Sequence, residues 1–302
     1  MNTLFRLLVL CLCAVSLAGR ASTQAEEDMA RAPMPHAQLG AQGTPVKVHL
    51  VSLQGYLVGR PDNAARLAML HAEVEDCVRR NSAAGMPSNP PRAWPDHIDS
   101  QRSDVYSAIN RTIHYTSALT YGVNQRDCSL IETRLSGASL FSSQGICDID
   151  LLKKTAHGAC DATGQASARP PIRRPGLSAG QIAAIQRDAA SNPAMAAMAQ
   201  AIRTNPPSGT GERKTILGIE CEVRKSPLNP DGTVCLSRGG TFPASTSPST
   251  TQQSAMTLEE DSATSGFKLQ ATSAKLDTLV NGAVFTPYLA GGFRITDTGV
   301  RP

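Results

Sequence analysis

Three groups of residues have types and spacings that could do chemistry. Cys147, His157 and Cys160 place two thiols and an imidazole close together in the chain, and Cys128 could complete a set of four, the ligand types of a structural zinc site. His97-Ile98-Asp99, followed by Ser100, holds the three side-chain types of a nucleophilic triad. Asp148 and Asp150, two positions apart, would share one face of a strand and could serve as paired carboxylates or calcium ligands. Each group also has a plainer reading. Triads are defined by geometry, and His, Asp and Ser neighbours arise by chance in a Ser-rich chain. An alternating acid pair is what an exposed strand edge carries. The chain has no Gly-x-Ser-x-Gly elbow, P-loop, dinucleotide fingerprint or haem-attachment CxxCH. No catalytic residue, metal or cofactor is therefore expected, and a non-enzyme is favoured over an enzyme.

The cysteines have a stronger reading than zinc, and it depends on compartment. Met1 to Arg6 carries one positive charge, and an apolar run of twelve residues follows from Leu7 to Ala18. Small residues then precede Glu26, Glu27 and Asp28, as in a secretory signal peptide cleaved after Ala18, Ala21 or Ala25. The apolar core is short for a bilayer span, and no other run approaches the roughly 20 apolar residues such a span needs. A periplasmic or secreted protein with no transmembrane segment after cleavage is expected. Loss of residues 1–25 removes Cys11 and Cys13 and leaves six cysteines: Cys77, Cys128, Cys147, Cys160, Cys221 and Cys235. An even number in an oxidising compartment reads as three disulfides. Cys221 and Cys235 form one expected pair. A second joins two of Cys128, Cys147 and Cys160, with the third bonded to Cys77. The same cleavage lowers the basic count from 29 to 27 against 25 acids, so the mature charge is near +2, which argues against a nucleic-acid partner.

Elements that would position these residues follow from periodicity. Val46 to Leu50 alternates as a half-buried strand. Asp62 or Asn63 can cap a helix with Leu67, Leu70, Val74, Cys77 and Val78 on one face. Val105, Ile109, Ile113 and Thr116 keep helical spacing, so a helix passing into strands is expected there, with two further strands in CSLIETRL and GICDIDLL. Residues 164–177 are Pro-rich and basic, as a semi-rigid linker is. Ser178 and Gln181 form a capping box, and Ile182, Ile185, Met195, Met198 and Ile202 give helical apolar spacing beyond it. Leu217, Ile219, Cys221 and Val223 share a strand parity facing a core, and Asn229-Pro230-Asp231-Gly232 supplies a turn before Val234 and Leu236. Residues 243–255 read as a Ser/Thr/Pro loop, and Phe267, Leu269 and Ala271 as another strand.

The fold class expected is α+β: a signal peptide over 1–25, a disulfide-stapled N-terminal α+β domain over 26–163, a linker over 164–177, and over 178–302 a domain of helices packed on a curved antiparallel sheet. NPAMAAMAQAIR, ERKTILGIECEVRK, DGTVCL and VFTPYL, in roughly residues 180–290, resemble a class of small exported bacterial proteins whose C-terminal half is similar to the half-barrel of lipoprotein-carrier (LolA/LolB-like) proteins. That resemblance implies helices laid over the concave face of a sheet, enclosing an apolar cavity. The expected function is a non-enzymatic exported envelope protein that binds an apolar ligand or an envelope protein partner through its C-terminal half. Leu217, Ile219, Val223, Met195 and Met198 are the expected lining. The alternatives are an exported hydrolase using His97 or His157, and a secreted interaction or toxin-neutralising module.

Overall fold

The computed structural model of the chain describes residues 21–38, 44–58, 62–142, 145–160, 209–225, 232–240, 256–262 and 266–297. The expected leader up to residue 20, the linker 164–177, the helical region 178–203 with Met195 and Met198, and the loop 243–255 lie outside them.

Among the described residues twelve strands form a single sheet. In chain order the elements are α1 (Ala21–Arg31), α2 (Pro35–Gln38), β1 (Pro45–Leu57), α3 (Asn63–Ala83), β2 (Asp99–Ala108), β3 (Arg111–Val123), β4 (Leu130–Ser142), β5 (Gly145–Asp150), β6 (Thr155–Gly158), β7 (Gly209–Ile216), β8 (Ile219–Lys225), β9 (Gly232–Ser237), β10 (Thr257–Ser262), β11 (Phe267–Asn281) and β12 (Arg294–Asp297). Two short 3-10 turns, Gly282–Phe285 and Pro287–Leu289, precede β12. The strand order is β12-β6-β5-β4-β3-β2-β1-β11-β10-β9-β8-β7, and every pairing is antiparallel except β12 on β6.

This corrects the α+β expectation with C-terminal helices on their own sheet. Strand β11 pairs with β1 over Pro45 to Leu57, so strands from both sides of the 164–177 segment share one mixed sheet. Among the described residues after 209, the only helical pieces are the two 3-10 turns. The helix expected from Val105 to Thr116 is the β2–β3 hairpin, with Ile109 exposed at its turn. Thr112, Ile113, Tyr115 and Thr116 are β-branched or aromatic, and β3 has a partner strand on each side, so its backbone groups are satisfied by ladders and need no helix. The strands expected at 46–50, in CSLIETRL and in GICDIDLL appear within β1, β4 and β5, and the helix from Asn63 is α3, although β4 starts only at Leu130 and β5 ends at Asp150. Asp62 caps α3 by accepting from the Ala65 N–H, and Leu70, Val74 and Cys77 are its buried face.

Successive side chains on a strand alternate faces. Leu50, Tyr106, Ile113, Leu140 and Cys147 stand opposite one another across five strands and form a buried row on one face. With Val48, Tyr115, Ile149, Val284, Phe285 and Tyr288 they make the first core, against which Met34 also packs. The neighbouring row, on the other face, begins with Val51 and Val105 in a second core that includes Ile216, Cys221, Val223, Cys235, Met256 and Leu258. It continues as His114, Ser139, Asp148 and His157, where exposed Leu135 and Ile146 flank it. The sheet thus buries one face over β3 to β6 and, further along, the other face. A small third cluster joins Leu70 of α3 to Ile98 and Tyr121. Gly55 lets β1 and β11 approach, since a Cβ there would run into the Lys268 carbonyl.

Three disulfides staple this sheet: Cys77–Cys128, Cys147–Cys160 and Cys221–Cys235. They suit an oxidising, extracytoplasmic compartment. Among the described residues no helix is long and apolar enough to cross a membrane.

Candidate binding site

The expected lining residues do not converge on a cavity. Leu217 is 52 % exposed and sits with Gly218 at positive φ in the two-residue turn between β7 and β8. A two-residue hairpin turn of this kind requires φ > 0 at both positions, which removes Leu217 from the strand parity assumed for it. Val223 is buried and Ile219 half-buried, and both pack into the second core. Met195 and Met198 lie outside the described residues. Cys221 stands opposite Ser237 and Cys235 opposite Val223, so the staple is diagonal across β8 and β9, with a Cα separation of 5.4 Å.

The three chemical groups disperse as well. Both thiols of the zinc candidate are consumed in the Cys147–Cys160 bond. Cys128 is bonded to Cys77. Nδ1 of His97 lies 2.6 Å from Glu26 rather than against Asp99, and its ring stacks on Tyr56 at 3.9 Å. The Ser100 hydroxyl is buried and has no partner among the described residues. Asp148 and Asp150 do share a face of β5, but Asp148 accepts from the Ser139 hydroxyl at 2.7 Å, and Asp150 caps the following turn by accepting from the Leu152 and Lys153 N–H groups. His157 stands opposite Asp148 on the open face. The other serine against a histidine, Ser103 with its Oγ 2.8 Å from His114 Nε2, is 1 % exposed, so no substrate reaches its oxygen.

Burial lowers the His114 pKa below its ordinary 6.5, with Asp104 opposing. The sign follows directly. As pH drops through 6.5 the unfolded chain takes up a proton that folded His114 refuses, so stability present above 6.5 is lost on acidification. The expected result is a thermal midpoint that falls between about pH 7 and pH 5, with a shallower fall in His114→Asn. Equal slopes would remove His114 from the account.

A different set of residues forms a cavity. The sequence from Ala21 to Gln38 lays α1 and α2 over the face of β2 to β4, and a space of about 220 Å³ remains beneath them. Met29, Pro33, Pro35, Leu151 and Pro287 give it an apolar cover, while Arg102, Asp104, Ser117 and Ser136 are its polar floor. Register explains the floor: Arg102 of β2 stands opposite Ser117 of β3, which stands opposite Ser136 of β4. Arg102 and Asp104 are 5 % and 6 % exposed and form an ion pair through Nε at 3.0 Å. One further nitrogen, Arg102 Nη1, donates to the carbonyls of Met29, Ala30 and Ala32 at and just beyond the end of α1, where orphan carbonyls need a donor. Gln54 Nε2 donates to the Ala30 carbonyl as well, at 2.9 Å. Beside the cavity, Tyr115 donates to the Val284 carbonyl at 2.5 Å, and burial pushes its phenol well above the usual tyrosine range. His36 of α2 lies 2.8 Å from the Tyr106 hydroxyl, and burial, then Lys275, lowers its pKa.

Sequence reasoning passed over Arg102 and Asp104 because a helical reading of the next residues hid the signal. As strand residues they are in phase with the buried Tyr106, so two charges on the apolar parity of β2 mark a polar floor inside a core.

Comparison with protein-family models, curated proteins and solved structures finds no significant match to this chain.

Proposed function

We propose that this chain is a non-enzymatic exported binding protein, periplasmic or secreted, whose ligand lies between α1–α2 and the sheet. The observation that carries this reading is the cavity of about 220 Å³ with a buried ion pair for its floor. A surface that served packing alone would not set a buried ion pair at the base of such a half-open hollow, because buried charges cost solvation.

The test is native mass spectrometry of the oxidised protein isolated from the periplasm. A small-molecule adduct is expected on the natural chain and is expected to be missing from Ala32→Phe, which fills the cavity from the α1–α2 connection. A fully oxidised protein that carries no adduct overturns the reading. The open face of β3 to β6, with exposed Leu135 and Leu152 beside a groove of about 430 Å³, favours a second reading as an interaction module. A stoichiometric protein adduct in the same spectrum would identify that case.

A further inference from the structure

From the chemistry of the cavity floor we infer that the ligand is a small, uncharged, polyhydroxylated molecule of the size of one sugar ring. The inference rests on the binding reading above. Among the described residues, Arg102 and Asp104 are the only charged ones lining the cavity, and they neutralise each other. An ionised ligand would enter a mostly apolar enclosure with no net counter-charge, which is costly. The floor is nevertheless rich in unspent hydrogen-bonding capacity. Arg102 uses Nε and Nη1, and its Nη2 has no partner among the described residues. The hydroxyls of Ser117 and Ser136 also have no partner among the described residues, and they stand side by side in register. Among the described residues Asp104 is bonded only by Arg102 Nε, so its carboxylate retains acceptor sites.

A ligand that satisfies this floor must accept from Arg102 Nη2 and donate to Asp104 within a few ångströms. Hydroxyl groups do both, whereas a carboxylate only accepts and an ammonium only donates. Two serine hydroxyls next to them extend the same demand along a row, as successive hydroxyls of a polyol would meet it. The cover asks for the opposite character. Met29, Pro33, Pro35, Leu151 and Pro287 offer C–H surface, which suits the C–H face of a sugar ring. A space of about 220 Å³ corresponds to about seven waters, which matches the size of one ring.

Saturation-transfer NMR and titration calorimetry with D-glucose, D-galactose and D-mannose test this, with D-gluconate and D-glucosamine as anionic and cationic counterparts. At least one hexose is expected to bind saturably, with gluconate and glucosamine at least about tenfold weaker. Ser117→Ala and Ser136→Ala, which leave the fold intact, are each expected to weaken that hexose by about tenfold, with unchanged thermal midpoints in the absence of sugar. Binding unaffected by either serine places the sugar elsewhere and overturns the assignment. Equal binding of a charged counterpart overturns the claim of an uncharged ligand. If no hexose binds while the isolated protein still carries a small-molecule adduct lost in Ala32→Phe, the ligand class is wrong and the binding reading stands. If neither is seen, both fail.

Discussion

Arg102→Met is expected to destabilise the protein by about 3–5 kcal/mol, because it leaves Asp104 as an unpaired buried carboxylate. Both residues are largely buried, so bulk water screens the loss only weakly. The same change removes the donor that serves three carbonyls at the end of α1, leaving Gln54 as the remaining side chain on Ala30. The double change Arg102→Met/Asp104→Leu is expected to cost less than Arg102→Met alone. It replaces a buried ion pair with apolar groups, an exchange that is often neutral or better. Urea unfolding of both single variants and the double variant completes a thermodynamic cycle. Additive losses would show that the pair is not coupled. In the single variant, faster hydrogen exchange of α1 is expected before any change in β3 or β4, since Arg102 ties that helix to the sheet.

Breaking the Cys77–Cys128 bond by Cys77→Ala/Cys128→Ala is expected to cost about 4 kcal/mol in the chain-entropy account. The effect is large because the bond spans a sequence separation of 51, against 13 for Cys147–Cys160 and 14 for Cys221–Cys235. The other contacts of α3 are mostly polar or peripheral: Leu70 packs in a small cluster with Ile98 and Tyr121, His71 stacks on Trp94, Asn63 bonds Asp96 and Ile98, and Asn81 donates to the Pro87 and Arg126 carbonyls. A drop in thermal midpoint on the order of 10 °C is the readout. A loss under about 1 kcal/mol would mean that α3 is held by packing and that the bond adds little.

Several features of this protein could be read from residues alone, and they are the local ones. The cap at Asp62 and the buried face of α3 depend on spacing within one helix. The Cys221–Cys235 pair depends on two neighbouring strands, and an even number of cysteines behind an export-like leader is a matter of arithmetic. Local pattern failed at Val105 to Thr116, where helical and strand spacings coexist. The β2–β3 hairpin won because partner strands on both sides satisfied its backbone; β4 follows β3 directly, but β1 is separated from β2 by the whole of α3.

What only the tertiary structure decided is long-range pairing. Strand β11 joins β1 across more than two hundred residues, and that pairing turns two expected sheets into one. It was illegible because register between distant strands depends on which apolar faces are left uncovered, a property of the whole chain. The cavity has the same origin. Arg102, Ser117 and Ser136 lie on three strands, and Met29, Leu151 and Pro287 come from well-separated parts of the chain. No spacing rule links them. The sequence by itself determined the α3 helix, the even cysteine count and the Cys221–Cys235 pair, because those rest on neighbours and counts, whereas the Cys77–Cys128 and Cys147–Cys160 pairings came only with the fold. The sheet, its two opposite cores and the polar floor beneath α1 arose only when distant strands came into register.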